Sequence, residues 1–177
     1  MSALETALHQ LTFVRDGGSV KRMHTVRTLH TQNVAEHSYG VAWLCWVLTD
    51  GKPSANLLMA ALAHDVPEVE VGDVPSPTKR ALNSTVLQTL EDLAMSNNFM
   101  PVFEVTEHEA LVLKVADMLD LAFACVDEHN LGNRNPRLHM MFENIMTYLT
   151  FGMLNSTGLL AVQIHNWLPA AWRAANE

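Results

Sequence analysis

The chain has 177 residues, of which 49% are hydrophobic and 17% are charged, with a formal net charge of -8. This composition excludes a disordered or collagen-like chain and predicts a single globular domain over residues 1–177 that needs no disulfide to bury its core. The acidic balance argues against nucleic acid and anionic membranes as partners, although a local basic cluster can still hold a phosphate ester.

The two cysteines, Cys45 and Cys125, lie in apolar segments without the spacing of metal ligands. We interpret them as buried thiols of a reducing compartment, with a disulfide as the alternative. The N-terminus has no signal or transit sequence, and no apolar run approaches membrane-spanning length. We therefore expect a cytoplasmic protein.

Apolar residues at helical spacing predict a first helix over residues 3–15, and the turn-like sequence Asp16-Gly17-Gly18-Ser19 follows it. Residues 21–32 lack clean periodicity. They contain three of the eleven Lys and Arg residues, namely Lys21, Arg22 and Arg27. A solvated loop is one interpretation of this stretch, and a basic cluster for an anionic ligand is the other.

Two consecutive helices are predicted next, each with a cap. Asn33-Val34-Ala35-Glu36 has the form of a capping box, so His37 falls in the first turn of its helix. After a turn at residues 50–53, Ser54 caps an apolar helix that delivers His64-Asp65 and stops near Pro67. A lone histidine near a helix start is usually structural, but antiparallel packing of these helices can bring His37 to the His64-Asp65 pair.

Later segments add charged candidates. The proline-containing loop of residues 72–80 presents Lys79 before a helix of about residues 80–97; by itself it is typical of an ordinary connector. Thr106 to Glu109 forms a second capping box and opens a long apolar helix. That helix contains Lys114, Asp117 and Asp120, of which Asp117 is the main candidate because a carboxylate in so apolar a segment needs a cation.

Two further helices, of about residues 137–150 and 158–174, complete an all-α prediction. The methionines at 140, 141, 146 and 153 indicate core or a subunit contact. The apolar C-terminal helices, with Trp167 and Trp172, are candidates for an interface in a homo-oligomer.

The candidate site residues form a set of nitrogen and oxygen ligands. It consists of His37, His64, Asp65 and Asp117. Such a set suits Zn, Fe, Mn or Co and tolerates Mg, and four ligands leave positions open for water and a substrate oxygen. An isolated His-Asp dipeptide is a weak signal, but its position after an apolar helix, between an upstream histidine and a downstream aspartate, strengthens it.

On these residues the sequence resembles the HD-domain phosphohydrolases, and within them the bacterial 5'-deoxynucleotidases and the related phage dATP triphosphohydrolases. The match covers about residues 20–125. It consists of Arg22, the run from Arg27 to Ser38, His64-Asp65-Val66-Pro67-Glu68, the run from Gly72 to Lys79, and Lys114-Val115-Ala116-Asp117. The resemblance implies an all-α HD-domain bundle of about seven helices around a divalent metal (Co, Mn, Zn or Mg), assembled as a dimer or larger oligomer.

The resemblance also implies roles for individual residues. His37, His64, Asp65 and Asp117 would bind the metal, while Glu68 would orient or deprotonate the attacking water and Asp73 would contact the sugar or organise its loop. Positions that match substrate contacts are Arg22, Met23, Pro77, Lys79 and Lys114. Met23 departs from the family, which has tryptophan there against the sugar, so the selection of deoxyribose rests on other residues or is looser.

The resemblance implies a deoxynucleotide as the small-molecule substrate, and two reactions fit it. We favour hydrolysis of dATP to deoxyadenosine and triphosphate, which depletes the dATP pool, because the short chain is more like the phage enzymes. The alternative is a 5'-deoxynucleotidase acting on deoxynucleoside monophosphates. A phosphodiesterase of cyclic nucleotides or second messengers gains no support from residues 72–79, and an inactive nucleotide-binding protein would not be expected to retain every catalytic position.

Overall fold

The computed structural model describes residues 1–75, 78–79, 82, 84–152 and 158–174. In these residues the fold is helical and contains no strand, which confirms the all-α prediction. The described residues form seven helices of nine or more residues and one of four residues. They are α1 Ala3–Gly18, α2 Val34–Leu48, α3 Ala55–Ala63, α4 Glu68–Val71, α5 Ser84–Asn97, α6 Glu107–Asn130, α7 Pro136–Gly152 and α8 Leu159–Ala174.

The predicted capping boxes fix where the central helices begin. Asn33 accepts a hydrogen bond from the Glu36 N–H at 2.9 Å, and the Glu36 carboxylate accepts one from the Asn33 N–H at 3.1 Å. Thr106 and Glu109 make the same reciprocal pair at the start of α6. Each cap satisfies N–H groups that have no partner within the helix and stabilises it by about 1 kcal/mol. His37 is thereby held in the first turn of α2.

Helices α2 and α6 lie at the centre of the molecule, where α3, α7 and α8 pack against them. Fully buried side chains of the main core come from all of these helices, for example Val41, Leu57, Leu119, Leu149 and Leu168. The thiols of Cys45 and Cys125 are free and buried in the same core, as predicted. None of the helices in the described part of the chain has the length and apolar character that a membrane span requires.

The first helix is longer than the sequence predicted, and a short helix was missed. α1 continues through Gly17 and Gly18, which therefore do not form a turn. Gly17 is needed for packing instead, because a Cβ there would lie 2.6 Å from the Val66 carbonyl oxygen. Pro67 does not simply stop a helix either: it occupies the N-cap position of α4, where a missing N–H has no cost.

Trp172 is part of the core, so the prediction of an interface through this residue is wrong. Its ring stacks on His129 at a centroid distance of 4.1 Å and on Phe142 at 4.4 Å. Trp167 differs, with 55% of its surface exposed. The methionines predicted for the core or a subunit contact also differ in exposure: Met146 is buried, and the Met140 side chain is 57% exposed. Met153 lies outside the described residues.

Candidate metal centre and active site

The histidines of α2 and α3 converge on the carboxylate of Asp65. The Asp65 Oδ2 atom lies 3.5 Å from His37 Nε2 and 3.4 Å from His64 Nε2. One potential ligand atom from each of these three residues falls within 4.8 Å of the others. The packing of two capped helices therefore brings together residues that are 28 positions apart in the sequence.

Hydrogen bonds at the far side of each ring decide which nitrogen faces this cluster. The Nδ1–H of His37 donates to Asp120 Oδ2 at 2.7 Å, and the Nδ1–H of His64 donates to the Ala61 carbonyl at 2.8 Å. With the proton on Nδ1, the Nε2 of a neutral imidazole carries a lone pair. Both Nε2 atoms are buried and have no hydrogen-bond partner among the described residues. A divalent cation suits this arrangement, because these nitrogens and the adjoining carboxylates are its ordinary donors.

Asp117 is the fourth predicted ligand, and it adjoins the same cluster from α6. Its Oδ1 atom lies 3.3 Å from His37 Nε2, while its Oδ2 atom accepts a hydrogen bond from Lys114 Nζ at 2.7 Å. Burial by itself would raise the pKa of Asp117, but the interactions with His37 and Lys114 outweigh burial and hold that pKa well below its usual range. Asp117 is therefore an ionised carboxylate.

Arg22 reaches into the cluster from the segment that precedes α2. Its guanidinium forms an ion pair with Asp65 through Oδ2, and only 9% of the Arg22 side chain is exposed. Burial raises the pKa of Asp65, whereas the electrostatic effects of the adjoining His64 ring and the Arg22 guanidinium lower it, with a net downward shift. The basic stretch before α2 is therefore not merely a solvated loop, because it places one cation beside the candidate ligands.

Glu68 is an almost fully buried carboxyl group one turn after Asp65. Burial, together with the negative charges of Asp65 and Asp73, raises the pKa of Glu68 to about 8. The Nζ atom of Lys79 lies 3.5 Å from Glu68 Oε1, and Glu68 Oε2 has no hydrogen-bond partner in the described part of the chain. A carboxyl group with such a pKa can hold or release a proton near neutral pH.

Asp73 and Met23 are in contact through the backbone of Met23. The Met23 N–H donates to Asp73 Oδ2 at 3.0 Å, and His24 Nδ1 lies 3.6 Å from the same oxygen. Met23 has a φ of 54°, a left-handed conformation that a non-glycine residue rarely adopts. Its side chain turns into the core and lines a cavity of about 350 Å³ beside α6. Of the two roles predicted for Asp73, organising its loop matches this contact.

Two of the remaining predicted substrate residues are lysines that lie beside carboxylates of the site. Lys79, next to Glu68, has 39% of its side chain exposed, and Lys114, next to Asp117, has 45% exposed. Both ammonium groups can therefore meet an anion from solvent while they remain close to the candidate ligands. Pro77 lies outside the described residues.

Two supporting carboxylates were not assigned a role from the sequence. Asp120 holds His37, as described above. Glu128 accepts hydrogen bonds from the N–H groups of Leu29 at 2.7 Å and His30 at 2.6 Å, and from Asn133 Nδ2 at 2.7 Å. Glu128 therefore connects the segment before α2 to α6 through these hydrogen bonds. The signal available in the sequence was that both residues are carboxylates on a largely apolar helix.

Comparisons with known proteins agree with this geometry. The YfbR-like model, described as 5'-deoxynucleotidase YfbR-like, matches residues 9–157. A dATP triphosphohydrolase of Salmonella phage PMBT28 is 32% identical, with 73% of this chain and 73% of the phage protein covered. The 5'-deoxynucleotidase YfbR of Salmonella arizonae is 29% identical, with 67% of this chain and 72% of that protein covered.

A solved structure shows the same fold. The cyanophage S-2L HD phosphohydrolase DatZ, bound to dA and one catalytic Zn²⁺ ion, superposes with a TM-score of 0.60 at 21% identity. The superposition covers 93% of this chain and 95% of the cyanophage protein. The prediction of an HD-domain bundle is confirmed.

Proposed function

Because the chain belongs to the YfbR-like family of 5'-deoxynucleotidases, we propose that it hydrolyses dATP to deoxyadenosine and triphosphate. At the coarser level it is a metal-dependent phosphohydrolase of deoxynucleotides. The observation that carries the proposal is the convergence of two imidazole nitrogens and two carboxylates beside a buried, protonatable Glu68. Neither nitrogen has a hydrogen-bond partner among the described residues.

In the proposed enzyme, His37, His64, Asp65 and Asp117 hold the metal. When bound, a divalent cation supplies Lewis-acid stabilisation of the negative charge that develops on the phosphoryl oxygens. The protein's part is to keep four donors ready in a buried position. Asp117 is already ionised, and the hydrogen bonds at both Nδ1 atoms already turn each Nε2 toward the site, so the side chains need little rearrangement when the cation binds.

Glu68 transfers the proton in the proposed reaction. Water attacks the α-phosphorus, and the bond between that phosphorus and the O5' atom of the nucleoside breaks. Ionised Glu68 accepts a proton from the attacking water and then donates it to O5', which departs with the bonding electrons as the nucleoside hydroxyl. A pKa of about 8 suits both halves of this transfer near neutral pH.

The cations favour a triphosphate. Arg22 pairs with Asp65, Lys79 lies beside Glu68, and Lys114 pairs with Asp117, so three cations adjoin the site. Three positive charges match the charge of a triphosphate better than that of a monophosphate. The relative with the higher identity of the two compared, at 32%, is also a dATP triphosphohydrolase.

The second candidate is a 5'-deoxynucleotidase that acts on deoxynucleoside monophosphates. The family description and the relative from Salmonella arizonae favour it. Both reactions break the same bond, between phosphorus and O5'. They differ in whether the site also accommodates the β- and γ-phosphates. The metal ligands and Glu68 serve both reactions equally.

Product analysis separates these candidates. Metal-stripped protein is incubated with Mg²⁺, Mn²⁺, Co²⁺ or Zn²⁺ in turn, and with dATP, dGTP, dAMP or ATP, before chromatography. We expect deoxyadenosine and intact triphosphate from dATP. Orthophosphate from dAMP with dATP untouched would establish the monophosphatase, and no turnover with any metal would contradict both. The ATP sample measures how a chain with Met23 selects the sugar.

A further inference from the structure

The carboxylate of Asp120 lies behind His37, on the side away from the candidate ligands. It belongs to α6, one turn after Asp117, and its Oδ2 atom accepts the Nδ1–H of His37 at 2.7 Å. Gln32 Nε2 donates to the same oxygen at 3.3 Å. Since the His37 side chain is completely buried, solvent cannot take the place of this carboxylate. The position of the ring therefore depends on α6 as well as on α2.

Gly40 on α2 makes this approach possible. A Cβ at that position would lie 1.9 Å from Asp120 Oδ1 and 2.9 Å from its Cγ atom. Every other residue type would therefore displace the carboxylate. Glycine is a poor helix former compared with alanine, yet it lies in the middle of α2, one turn after His37. The glycine at position 40 therefore leaves the space that the Asp120 carboxylate needs to reach His37.

The two histidines differ in what holds them. The Nδ1–H of His64 donates to a neutral carbonyl three residues earlier in its own chain segment. The partner of His37 is a carboxylate from a helix 83 residues further along the sequence. A carboxylate in that position fixes the tautomer and the ring direction, and it makes the opposite nitrogen a stronger donor.

We propose that Asp120 is a positioning residue that sets the affinity of the metal centre by holding the Nε2 atom of His37 toward the cluster. The inference rests on the proposed metal centre and deepens it. In this assignment Asp120 contacts neither the metal nor the substrate. Its effect is transmitted through one hydrogen bond.

The test is a Mn²⁺ titration of metal-stripped protein, followed by electron paramagnetic resonance of the free ion. Asp120→Asn keeps the size of the side chain but removes its charge, and we expect a 10- to 100-fold weaker Mn²⁺ affinity. Asp127→Asn is the matched control, because Asp127 lies two turns further along α6, is exposed, and lines the same cavity. We expect its affinity to stay within twofold of wild type.

Gly40→Ala gives an independent variant that leaves Asp120 in the sequence. The added methyl group would displace the carboxylate, so we expect an affinity loss similar to that of Asp120→Asn. The double variant should be no weaker than the weaker single variant, because both changes break one contact. Circular dichroism of the metal-free proteins identifies any variant that fails to fold, in which case the other single variant decides.

A spectroscopic measurement separates positioning from general support of the fold. Long-range ¹⁵N–¹H spectra of the metal-free protein should place the proton of His37 on Nδ1 in wild type and in Asp127→Asn. Asp120→Asn should weaken that preference while the His64 signals stay unchanged.

The outcomes distinguish this inference from the proposed function. If wild type binds Mn²⁺ no better than His64→Ala, the metal centre itself is wrong. If wild type binds and His64→Ala does not, but Asp120→Asn and Gly40→Ala bind like wild type, only the role of Asp120 is overturned.

Discussion

The two halves of the centre are built differently. On the α2–α6 side, His37 is fully buried, and carboxylates of α6 lie on both sides of its ring. On the α3–α4 side, His64 comes at the end of a helix with 18% of its side chain exposed, and it is followed by Glu68 and the partly exposed Lys79.

This difference separates two tasks. Groups on the buried side are held by tertiary contacts that water cannot replace, which suits donors that must stay fixed. Groups on the α3–α4 side include the buried carboxyl of Glu68, whose pKa is about 8, and the partly exposed ammonium of Lys79, which suits proton transfer and contact with a phosphate. We therefore expect the α2–α6 half to fix the geometry of the site and the α3–α4 half to carry its chemistry.

The largest effect is expected when either histidine is removed. His37→Ala and His64→Ala should both abolish metal binding and lower turnover by at least about a thousandfold, because several kcal/mol of charge stabilisation is lost. Only His37→Ala should also destabilise the metal-free fold, by about 2–3 kcal/mol, since it leaves buried carboxylates without their partner. Calorimetric metal titration and urea unfolding measure the two effects. Equal destabilisation by the two substitutions would contradict the division into two halves.

Removing the proton-transfer group should separate binding from rate. Glu68→Gln retains the four proposed ligands, so we expect nearly unchanged metal affinity with turnover lowered by about 10²- to 10⁴-fold. Steady-state kinetics with saturating metal measure the rate, and the same calorimetry measures the affinity. An enzyme that stays fully active without this carboxyl would remove Glu68 from the mechanism.

The pH dependence of stability should show the titration of Glu68. The pKa of Glu68 is raised in the folded protein to about 8 from a usual 4.5, so the folded state binds more protons than the unfolded state between these values. Stability of the metal-free protein should therefore fall as pH rises from about 4.5 to 8, by up to about 1.4 kcal/mol per pH unit from this group. In Glu68→Gln that part of the decline should disappear. Urea unfolding at a series of pH values provides the comparison.

The smallest effect is expected at the two exposed cations. Lys79→Gln and Lys114→Gln should each raise the KM for dATP by about tenfold, which corresponds to about 1.4 kcal/mol, and should raise that for dAMP less. Lys52→Gln, at an exposed lysine of the turn before α3, is the matched control. If Lys79→Gln changes dAMP and dATP equally, Lys79 contacts the α-phosphate instead of the outer phosphates.

Local sequence predicted much of the fold and of the candidate set. The capping boxes at Asn33 and Thr106 located the starts of α2 and α6, because a cap involves residues only three positions apart. His37, His64, Asp65 and Asp117 were identified because polar residues are rare in such apolar helices. The fold brings the first three together and places Asp117 Oδ1 3.3 Å from His37 Nε2. Their roles as ligands stay a prediction until a metal is measured.

Tertiary structure decided which groups support these residues. That Asp120 holds His37, that Arg22 pairs with Asp65, and that Gly17 packs against Val66 all depend on how helices distant in the sequence approach one another. The sequence by itself determined the helices and the residues that can bind a metal, since both follow from neighbours within a turn or two. Only the packed molecule determined the tautomers, the ion pairs and the pKa values, because these depend on burial and on charges from other helices.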